Sequence, residues 1–288
     1  MLNLSTEFYP LISPIPLERL SRTWQQLKAA GVADYSLTFG ALGAGQDKST
    51  TCLKYMRAYD RKSIPMMHLT CRGQTWTSLE RLIKRWKKLG VTRILALRGD
   101  AFQPRNDGPN SSVELVEFLS EHGLKTSVAA YPDGHPDDQK ADFTLSDTQW
   151  LARKLEAGAD QVVTQFSARI EGVLKLREQL DAIGAPVTLK IGVMPVPDWD
   201  RFKTLIERCG MANDPGEALL FEGLPEDSHH ALSLGLAYAN IRALMAEGCT
   251  NFHLYGLNNA RLLLPLIDGL QALDTTLSPA LRHQRHHS

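Results

Sequence analysis

The tripeptide Arg98-Gly99-Asp100 combines three residue types that suit a binding or catalytic site. It directly follows the apolar run Ile94 to Leu97, which predicts a strand buried on both faces. Arg98 supplies a fixed cation, Gly99 permits close approach of the backbone, and Asp100 supplies an anion. In parallel barrels, sites form at the carboxyl ends of the strands. A solvated Arg–Asp pair is the alternative, and the tripeptide alone does not separate the two.

Glu7 and His68 are two further side chains that could transfer protons. Glu7 lies among apolar neighbours in a predicted strand from Ser5 to Tyr9, where an ionised carboxylate is costly. It is therefore outward-facing or functional, and the strand pattern alone favours the outward orientation. His68 lies inside the predicted strand Ile64 to Thr70. A histidine in a strand is more often a satisfied core group than a ligand, so residue type alone assigns neither side chain a role.

The segment from Tyr131 to Pro136 holds an unusual density of rigid and reactive residues. Two prolines, a glycine, an aromatic ring, a histidine and an acid predict a shaped site loop rather than a plain turn. Lys190 lies in another predicted strand, where a Schiff base is possible but a pairing charge in the barrel wall is favoured. Glu7 and Asp100 lack a convincing third ligand, so we expect no metal site.

A regular alternation of strands and helices must position these residues. The strands recur at spacings of roughly 25 to 45 residues, which requires crossover connections and parallel pairing. Eight such units in 288 residues predict an α/β fold, a parallel eight-stranded (β/α)8 TIM barrel, with a doubly wound open sheet as the alternative. We expect residues 1–275 to form a single catalytic domain and residues 276–288 a polar, disordered tail. Within the barrel, residues 211–228 are predicted to be irregular.

Composition narrows the class of protein and its location. The 32 Lys and Arg residues balance 32 Asp and Glu residues, so neither nucleic acid nor an anionic membrane is expected as the main partner. The four cysteines lack C-x-x-C spacing and fit a reducing compartment. The N-terminus lacks the features of a signal peptide, and no apolar run reaches the ~18 residues that span a bilayer. These observations predict a cytoplasmic protein.

Nine segments, in order along about residues 4 to 265, resemble the methylenetetrahydrofolate reductase family. Among them the two most specific are Leu95-Ala96-Leu97-Arg98-Gly99-Asp100 and Ala129-Ala130-Tyr131-Pro132-Asp133-Gly134-His135-Pro136. The others include Ser5-Thr6-Glu7-Phe8-Tyr9-Pro10, Thr164-Gln165-Phe166, Gly192-Val193-Met194-Pro195-Val196 and His253-Leu254-Tyr255-Gly256-Leu257-Asn258. A single segment of this kind is weak support, but nine in the same order are specific.

The resemblance implies a flavoprotein that works in two half-reactions. NADH or NADPH reduces FAD, and the flavin then reduces 5,10-methylenetetrahydrofolate to 5-methyltetrahydrofolate. A homo-oligomer is a further expectation. Glu7 would be the general acid that opens the one-carbon bridge of the substrate, because a carboxyl group among apolar neighbours should have a raised pKa. Asp100 would lie near the flavin and the pterin, where its charge tunes both.

The resemblance also assigns the binding residues. Gln165 would hydrogen-bond the pterin, and Trp199 would stack on the nicotinamide or the folate. Asn259 and Arg261 would lie near the glutamate tail of the folate. The FAD contacts would be Thr38, His68, Leu97, Arg98, Gly99, Asp100, Ala129, Tyr131, His135, Asp147 and Lys154, with Arg98 and Lys154 on the pyrophosphate.

Three departures from the family's pattern keep alternatives open. Residues 166–169 differ from the usual aromatic-and-acid continuation, Asn259 replaces an expected arginine, and loop 101–110 lacks a tyrosine. A flavin-independent methylenetetrahydropterin reductase with direct hydride transfer is therefore one alternative. A non-catalytic folate-binding barrel is another, and a different barrel enzyme, such as an aldolase, is the last.

Overall fold

The protein is a closed barrel of parallel strands wrapped in helices, as seen in a computed structural model. The structure describes residues 2–39, 46–99, 106–135, 145–167, 169–196, 198–208 and 215–284. The strands pair in chain order from β1 to β8, and β1 pairs with β8 to close the sheet. The predicted (β/α)8 barrel is confirmed, and the open doubly wound sheet is excluded.

In the described chain, the strands and helices alternate up to the seventh strand, and three helices then precede the eighth strand. Strands β1 to β8 are Asn3–Phe8, Val32–Leu37, Met66–Thr70, Arg93–Leu97, Lys125–Ala130, Gln161–Phe166, Thr188–Val193 and Asn251–Leu254. Helices α1 to α10 are Pro14–Ala29, Gln46–Tyr59, Trp76–Lys88, Ser112–Glu121, Asp147–Glu156, Ile170–Ile183, Trp199–Arg208, Pro215–Phe221, Glu226–Ala246 and Ala260–Gln284.

The predicted elements differ from the structure mainly near the C-terminus. The segment 211–228 is not irregular throughout, because α8 lies within it and α9 begins at Glu226. Both helices cover one end of an apolar cluster, which stabilises them despite a weak local pattern. Helix α10 ends at Gln284, within the segment predicted to be a tail. The domain boundary at residue 275 stays a prediction.

Alternation along β1 separates the two sides of the barrel wall. Leu4 and Phe8 pack outward into the core between strands and helices, where Phe8 meets Tyr35 edge-on at 5.6 Å between ring centroids. Ser5 and Glu7 have the opposite orientation and face the barrel interior. The same period places Asp34 and Ser36 of β2 inside, because they pair in register with Ser5 and Glu7.

Charged pairs occupy the amino-terminal part of the barrel interior. Lys190, which is 5% exposed, donates to both carboxylate oxygens of Asp34 at 3.0 Å. Arg93 forms a two-pronged pair with Asp160. The favoured interpretation of Lys190 as a pairing charge is therefore supported, since its amine is already bound. Among the described residues, no helix is both long and apolar enough to cross a membrane.

Candidate active site

A cavity of about 320 Å³ opens at the carboxyl end of the barrel. Seven of the eight strands contribute to its wall, either directly or through the residues that follow them. The lining residues are Glu7, Tyr9, His68, Leu95, Leu97, Ala129, Tyr131, Val163, Gln165, Phe166, Met194, Leu205, Tyr255, Gly256 and Leu257. Six of the residues predicted for the site are thus brought together, namely Glu7, His68, Leu97, Ala129, Tyr131 and Gln165.

Glu7 faces this cavity, so the outward orientation that the strand pattern favoured is wrong. Its side chain is 27% exposed, and it lines the cavity rather than the outer surface. Burial raises the pKa of Glu7 from its ordinary value of 4.5 to about 7. Near neutral pH the carboxyl group therefore exists in both protonation states, as a general acid requires.

His68 is a titratable neighbour of Glu7 in the cavity wall. Its Nε2 atom lies 3.6 Å from Oε2 of Glu7, which is beyond hydrogen-bonding distance. Burial lowers the pKa of His68 to about 3, so its imidazole is neutral at physiological pH and the contact is not an ion pair. Within the described chain, the buried Nε2 atom has no hydrogen-bond partner. The expectation of a satisfied core histidine therefore does not hold for this nitrogen.

Four residues that follow β5 or belong to α5 form a second group beside the cavity. The rings of Tyr131 and His135 meet edge-on at 4.4 Å, and the His135 amide donates to the Asp147 carboxylate at 2.7 Å. Lys154 donates to the carbonyl of Ala129 at 3.3 Å. Tyr131, His135, Asp147 and Lys154 are thus adjacent, as the predicted cofactor contacts require.

Lys154 lies between charges of both signs. Burial lowers its pKa, while Asp147 raises it and the cation of Arg98 lowers it further. Arg98 and Lys154 are therefore close enough to interact, although Arg98 follows β4 and Lys154 lies in α5. Two adjacent cations beside a cavity suit a phosphate-bearing ligand.

Gly99 shows why the residue after Arg98 must be small. Its φ of 85° lies in the left-handed region, and an added Cβ would lie 3.0 Å from Cβ of Thr70. The backbone of β4 can therefore leave the barrel close to β3. Asp100, the next residue, lies outside the described residues, so its predicted position beside Glu7 stays a prediction.

Thr38 follows β2 and is tied to the end of β1, because its amide donates to the carbonyl of Phe8 at 2.9 Å. Its side chain is buried, and Oγ1 has no hydrogen-bond partner among the described residues. Thr38 does not line the cavity itself. It nevertheless presents an unsatisfied polar atom near the residues that do.

Tyr255 and Phe166 are cavity residues to which the sequence analysis assigned no role. The hydroxyl of Tyr255 donates to the carbonyl of Thr164 at 2.9 Å, and its ring meets Phe166 at 5.9 Å between centroids. Burial raises the pKa of Tyr255 well above its ordinary value, as does the charge of Glu7, so the phenol stays protonated. Both residues stand at strand ends within the matched segments, which is the signal that could have identified them.

Gly192 makes room for the Tyr255 ring. An added Cβ at Gly192 would lie 2.7 Å from Cε2 of Tyr255 and 2.5 Å from the carbonyl oxygen of Thr164. The φ of Gly192 is not in the left-handed region, so the backbone conformation does not require glycine. Glycine is required because any side chain would fill this space. The cavity wall between β7 and β8 therefore depends on the absence of a side chain.

Trp199 does not reach the cavity, so its predicted role in stacking on a ligand is not supported. It is 5% exposed and stacks on Phe221 at 4.5 Å with nearly parallel rings. His229 accepts its backbone amide at 3.4 Å. Trp199 belongs to a separate apolar cluster between α7, α8 and α9. Burial of its large ring stabilises the packing of these helices. The aromatic residue of this region that lines the cavity is Phe166.

Asn259 and Arg261 are likewise placed outside the cavity wall. Both are exposed, and Oδ1 of Asn259 accepts the amide of Arg261 at 3.1 Å at the start of α10. This is a helix-capping interaction, which explains the asparagine without a ligand. The neighbouring Asn258 instead grips the backbone of Tyr9 through two hydrogen bonds of 3.0 Å, which fixes the rim of the cavity.

Comparisons with known proteins place the chain among folate enzymes. A family model described as methylenetetrahydrofolate reductase matches residues 1–271. The 5,10-methylenetetrahydrofolate reductases of Salmonella typhimurium and Escherichia coli are each 29% identical over 266 residues, covering 91% of this chain and 88% of each relative. The Arabidopsis thaliana protein named methylenetetrahydrofolate reductase (NADH) 1 is 26% identical, and the match covers 48% of its length.

A solved structure supports the fold. A Clostridium thermocellum protein, described as binding two copies of 5-methyl-5,6,7,8-tetrahydrofolic acid, superposes with a TM-score of 0.65. It covers 94% of this chain at 11% identity, which shows a shared barrel and no more. The family match, in contrast, spans residues 1–271 and therefore includes every strand of the barrel. The chain therefore belongs to the methylenetetrahydrofolate reductase family, whose members are oxidoreductases that act on a folate.

Proposed function

We propose that this protein reduces 5,10-methylenetetrahydrofolate to 5-methyltetrahydrofolate, with FAD as bound cofactor and NADH or NADPH as electron donor. The observation that carries the proposal is the carboxyl group of Glu7 at the cavity wall, whose pKa is raised to about 7. An acid that keeps its proton near neutral pH is what opening a one-carbon bridge between two nitrogens requires.

Several features of the described residues fit a flavin nucleotide. Thr38 Oγ1 and His68 Nε2 are buried polar atoms that lack partners in the described chain, and such atoms usually contact a ligand or water. Arg98 and Lys154 would hold the pyrophosphate, and Gly99, which packs closely against Thr70, would expose backbone to the flavin. When bound, FAD would supply reversible hydride transfer between the donor and the folate.

Residues of the chain would donate the proton, bind the pterin and exclude water. Glu7 would give its proton to the amine nitrogen that leaves the one-carbon bridge, which makes the carbon an acceptor for hydride. The amide of Gln165, whose oxygen already accepts the Phe166 amide at 3.1 Å, would donate its NH2 group to the pterin. Leu97, Val163 and Phe166 would exclude water from the reacting atoms.

The size of the cavity is compatible with this proposal. Its volume of about 320 Å³ lies at the lower end of the range of ~300–1,000 Å³ that is usual for ligand sites. The loops after β4 and β5, residues 100–105 and 136–144, lie outside the described residues. The donor preference is not assigned, because no described side chain distinguishes NADH from NADPH.

The test is the absorbance of the purified protein during its two half-reactions under anaerobic conditions. We expect a yellow protein whose flavin absorbance bleaches with NADH or NADPH and returns with methylenetetrahydrofolate. A colourless protein that neither binds FAD nor oxidises either donor would overturn the proposal. Activity that survives complete removal of flavin would instead select direct hydride transfer. Tight folate binding without turnover would select a non-catalytic barrel.

We also propose a cytoplasmic location and, as the family resemblance suggests, a homo-oligomer. The three cysteines whose structure is described, Cys52, Cys71 and Cys249, are buried free thiols, which fits a reducing compartment. Fractionation of cells and light scattering of the purified protein test these two expectations.

A further inference from the structure

A layer of polar side chains lies inside the barrel beneath Glu7, and the proposed mechanism does not use it. This interior polar layer consists of Ser5 on β1, Asp34 on β2, Lys190 on β7 and His253 on β8. Ser5 pairs in register with both Asp34 and His253. Ser5 and His253 are each 1% exposed, whereas the Asp34 side chain is 52% exposed. The layer therefore extends from solvent at the barrel floor into the closed interior.

Hydrogen bonds within the layer allow His253 to carry its ring proton on either nitrogen. Ser5 Oγ lies 2.8 Å from His253 Nδ1 and 3.3 Å from the carbonyl oxygen of Phe252. A hydroxyl group has one proton, so it donates either to the carbonyl or to Nδ1. In the first arrangement Nδ1 carries the ring proton and Nε2 is an acceptor. In the second arrangement Nε2 carries the proton and is a donor.

Unsatisfied polar atoms connect this layer with Glu7. His253 Nε2, Ser36 Oγ and His68 Nε2 are buried and have no hydrogen-bond partner in the described part of the chain. Ser36 pairs in register with Glu7 and follows Asp34 by two residues, so it faces the interior one level above the layer. Buried polar atoms are normally satisfied, and an interior water typically makes about three hydrogen bonds. These atoms therefore favour ordered water between His253 and Glu7.

The charged and titratable groups around His253 keep its ring neutral. Burial, the ammonium group of Lys190 and His68 all lower its pKa well below the ordinary value. Among the described residues, the titratable groups that interact with Glu7 from neighbouring strands are His68 and Tyr255, and both are uncharged at neutral pH. A proton can thus cross this region through neutral tautomers more easily than through a charged imidazolium.

We propose that the interior polar layer, together with ordered water, conducts protons from solvent at the barrel floor to Glu7. The inference rests on the proposed function, in which Glu7 loses a proton to the folate while ligands cover the cavity mouth. His253 passes its Nε2 proton through water to the Glu7 carboxylate and takes up a proton at Nδ1 from Ser5. The ammonium group of Lys190 returns a proton to Ser5 and regains one from solvent through the Asp34 carboxylate, so one proton enters, one leaves, and no electrons move.

The experiment measures proton uptake during folate reduction. Flavin-loaded enzyme is first reduced anaerobically and is then mixed with excess methylenetetrahydrofolate in weak buffer that contains a pH indicator. In the wild type, proton uptake should keep pace with the return of flavin absorbance. In His253→Gln, which cannot exchange tautomers, uptake should be about tenfold slower and should follow product release.

Asp34→Asn tests the entrance at a half-exposed site, where misfolding is less of a concern. Uptake should again lag, by several-fold, because Asn cannot relay a proton from solvent. Asp160→Asn is the matched control, since its side chain is 44% exposed and pairs with Arg93 rather than with Lys190. The control should take up protons at the wild-type rate. Uptake at the wild-type rate in both His253→Gln and Asp34→Asn would overturn the inference.

The outcome is separable from that of the proposed function. A wild-type enzyme whose flavin never returns to the oxidised form with methylenetetrahydrofolate contradicts the reductase assignment itself. A wild type that turns over beside variants with unchanged proton uptake contradicts only the proton path. A high-resolution crystal structure gives a readout that does not depend on activity. Water hydrogen-bonded to His253 Nε2 supports the path, and a dry interior overturns it.

Discussion

The carboxyl group of Glu7 keeps its proton near neutral pH because of its neighbours rather than because of its residue type. An exposed glutamate is ionised at pH 7, but burial among Leu95, Val163 and Tyr255 raises the pKa of Glu7 to about 7. His68 does not oppose this shift, because its own burial keeps it neutral. The reacting acid is thus produced by desolvation, with a neutral imidazole beside it.

Glu7→Gln should separate the two half-reactions. Glutamine keeps the shape but cannot donate a proton, so folate reduction should fall by about 10²–10⁴-fold. Reduction of the flavin by NADH needs no proton from Glu7 and should stay within about twofold of the wild-type rate. Stopped-flow absorbance measures both steps. Glu18→Gln on the exposed face of α1 is the control, and an equal loss in both steps of Glu7→Gln contradicts the assigned role.

The same carboxyl group should make stability depend on pH. The pKa of Glu7 is higher in the folded protein than in the unfolded chain, so the protonated carboxyl group favours folding over the ionised one. This contribution to the free energy of unfolding is fully present below about pH 4.5 and is lost as pH rises through about 7. The shift in the pKa of Glu7 corresponds to a loss of about 3 kcal/mol in the free energy of unfolding at pH values above about 7. Glu7→Gln removes this cost, so it should be more stable than the wild type at pH 9 and nearly equal to it at pH 4.5.

Urea unfolding at the two pH values measures this difference. Glu18→Gln, whose parent side chain is exposed in an ion pair with Arg22, should show no comparable pH-dependent gain. If Glu7→Gln and the wild type differ by the same amount at both pH values, the carboxyl group is not desolvated as described. The folate-reduction rate of the wild type should likewise fall as pH rises through about 7, since only the protonated acid is active.

Among the strands and helices, the contact between β7 and the end of β8 depends on one glycine. Gly192→Ala would place a methyl group against the Tyr255 ring and the Thr164 carbonyl, so the ring must move into the cavity. We expect a loss of about 1–3 kcal/mol in the free energy of unfolding, together with weaker folate binding. Chemical denaturation and the KM for folate measure the two effects.

Gly235→Ala is the matched control for this substitution. Gly235 lies inside α9, and an added Cβ there meets no atom within 4 Å. Alanine should leave stability unchanged or raise it by about 0.5–1 kcal/mol, because it favours the helix. A Gly192→Ala protein as stable as this control, with an unchanged KM, would show that the cavity wall can yield at no cost.

For the barrel as a whole, the two members of the ion pair between Lys190 and Asp34 contribute unequally to stability. Removing Asp34 leaves the buried ammonium of Lys190 without its carboxylate, whereas removing Lys190 leaves a half-exposed carboxylate that water can solvate. Asp34→Asn should therefore cost about 1–2 kcal/mol, a value reduced from that of a fully buried pair because Asp34 is accessible. Lys190→Met should cost less, or nothing.

Thermal unfolding of both single variants and of the double variant measures this asymmetry. The exposed pair of Glu18 and Arg22 on α1 serves as the reference, and Arg22→Ala should change stability by less than about 0.5 kcal/mol. A larger loss for Lys190→Met than for Asp34→Asn would contradict the desolvation argument. It would indicate that the lysine stem, rather than its charge, supports the barrel interior.

Strand and helix order was predictable because its signals are local. Apolar runs such as Ile94 to Leu97, glycines after helices, and the spacing of the units lie within short stretches of chain. The apolar run Ile94 to Leu97 lies in β4, Arg93–Leu97. Helix α8 was missed because it has only seven residues and its stability comes from packing on Trp199 through Phe221. The matched segments identified the family, and through it six of the residues that line the cavity.

Only the tertiary structure decided what each side chain does. The pattern of β1 allows Glu7 to face outward, and it faces the cavity because β1 closes against β8, more than 240 residues away. A flat ring such as that of Trp199 can stack on a ligand or pack in an apolar core, and in the structure it stacks on Phe221. Asn259, in contrast, caps α10 through a contact only two residues away, which is a local signal that the sequence already carries. Sequence patterns set local conformation, whereas burial and pKa depend on neighbours that the fold brings from distant parts of the chain.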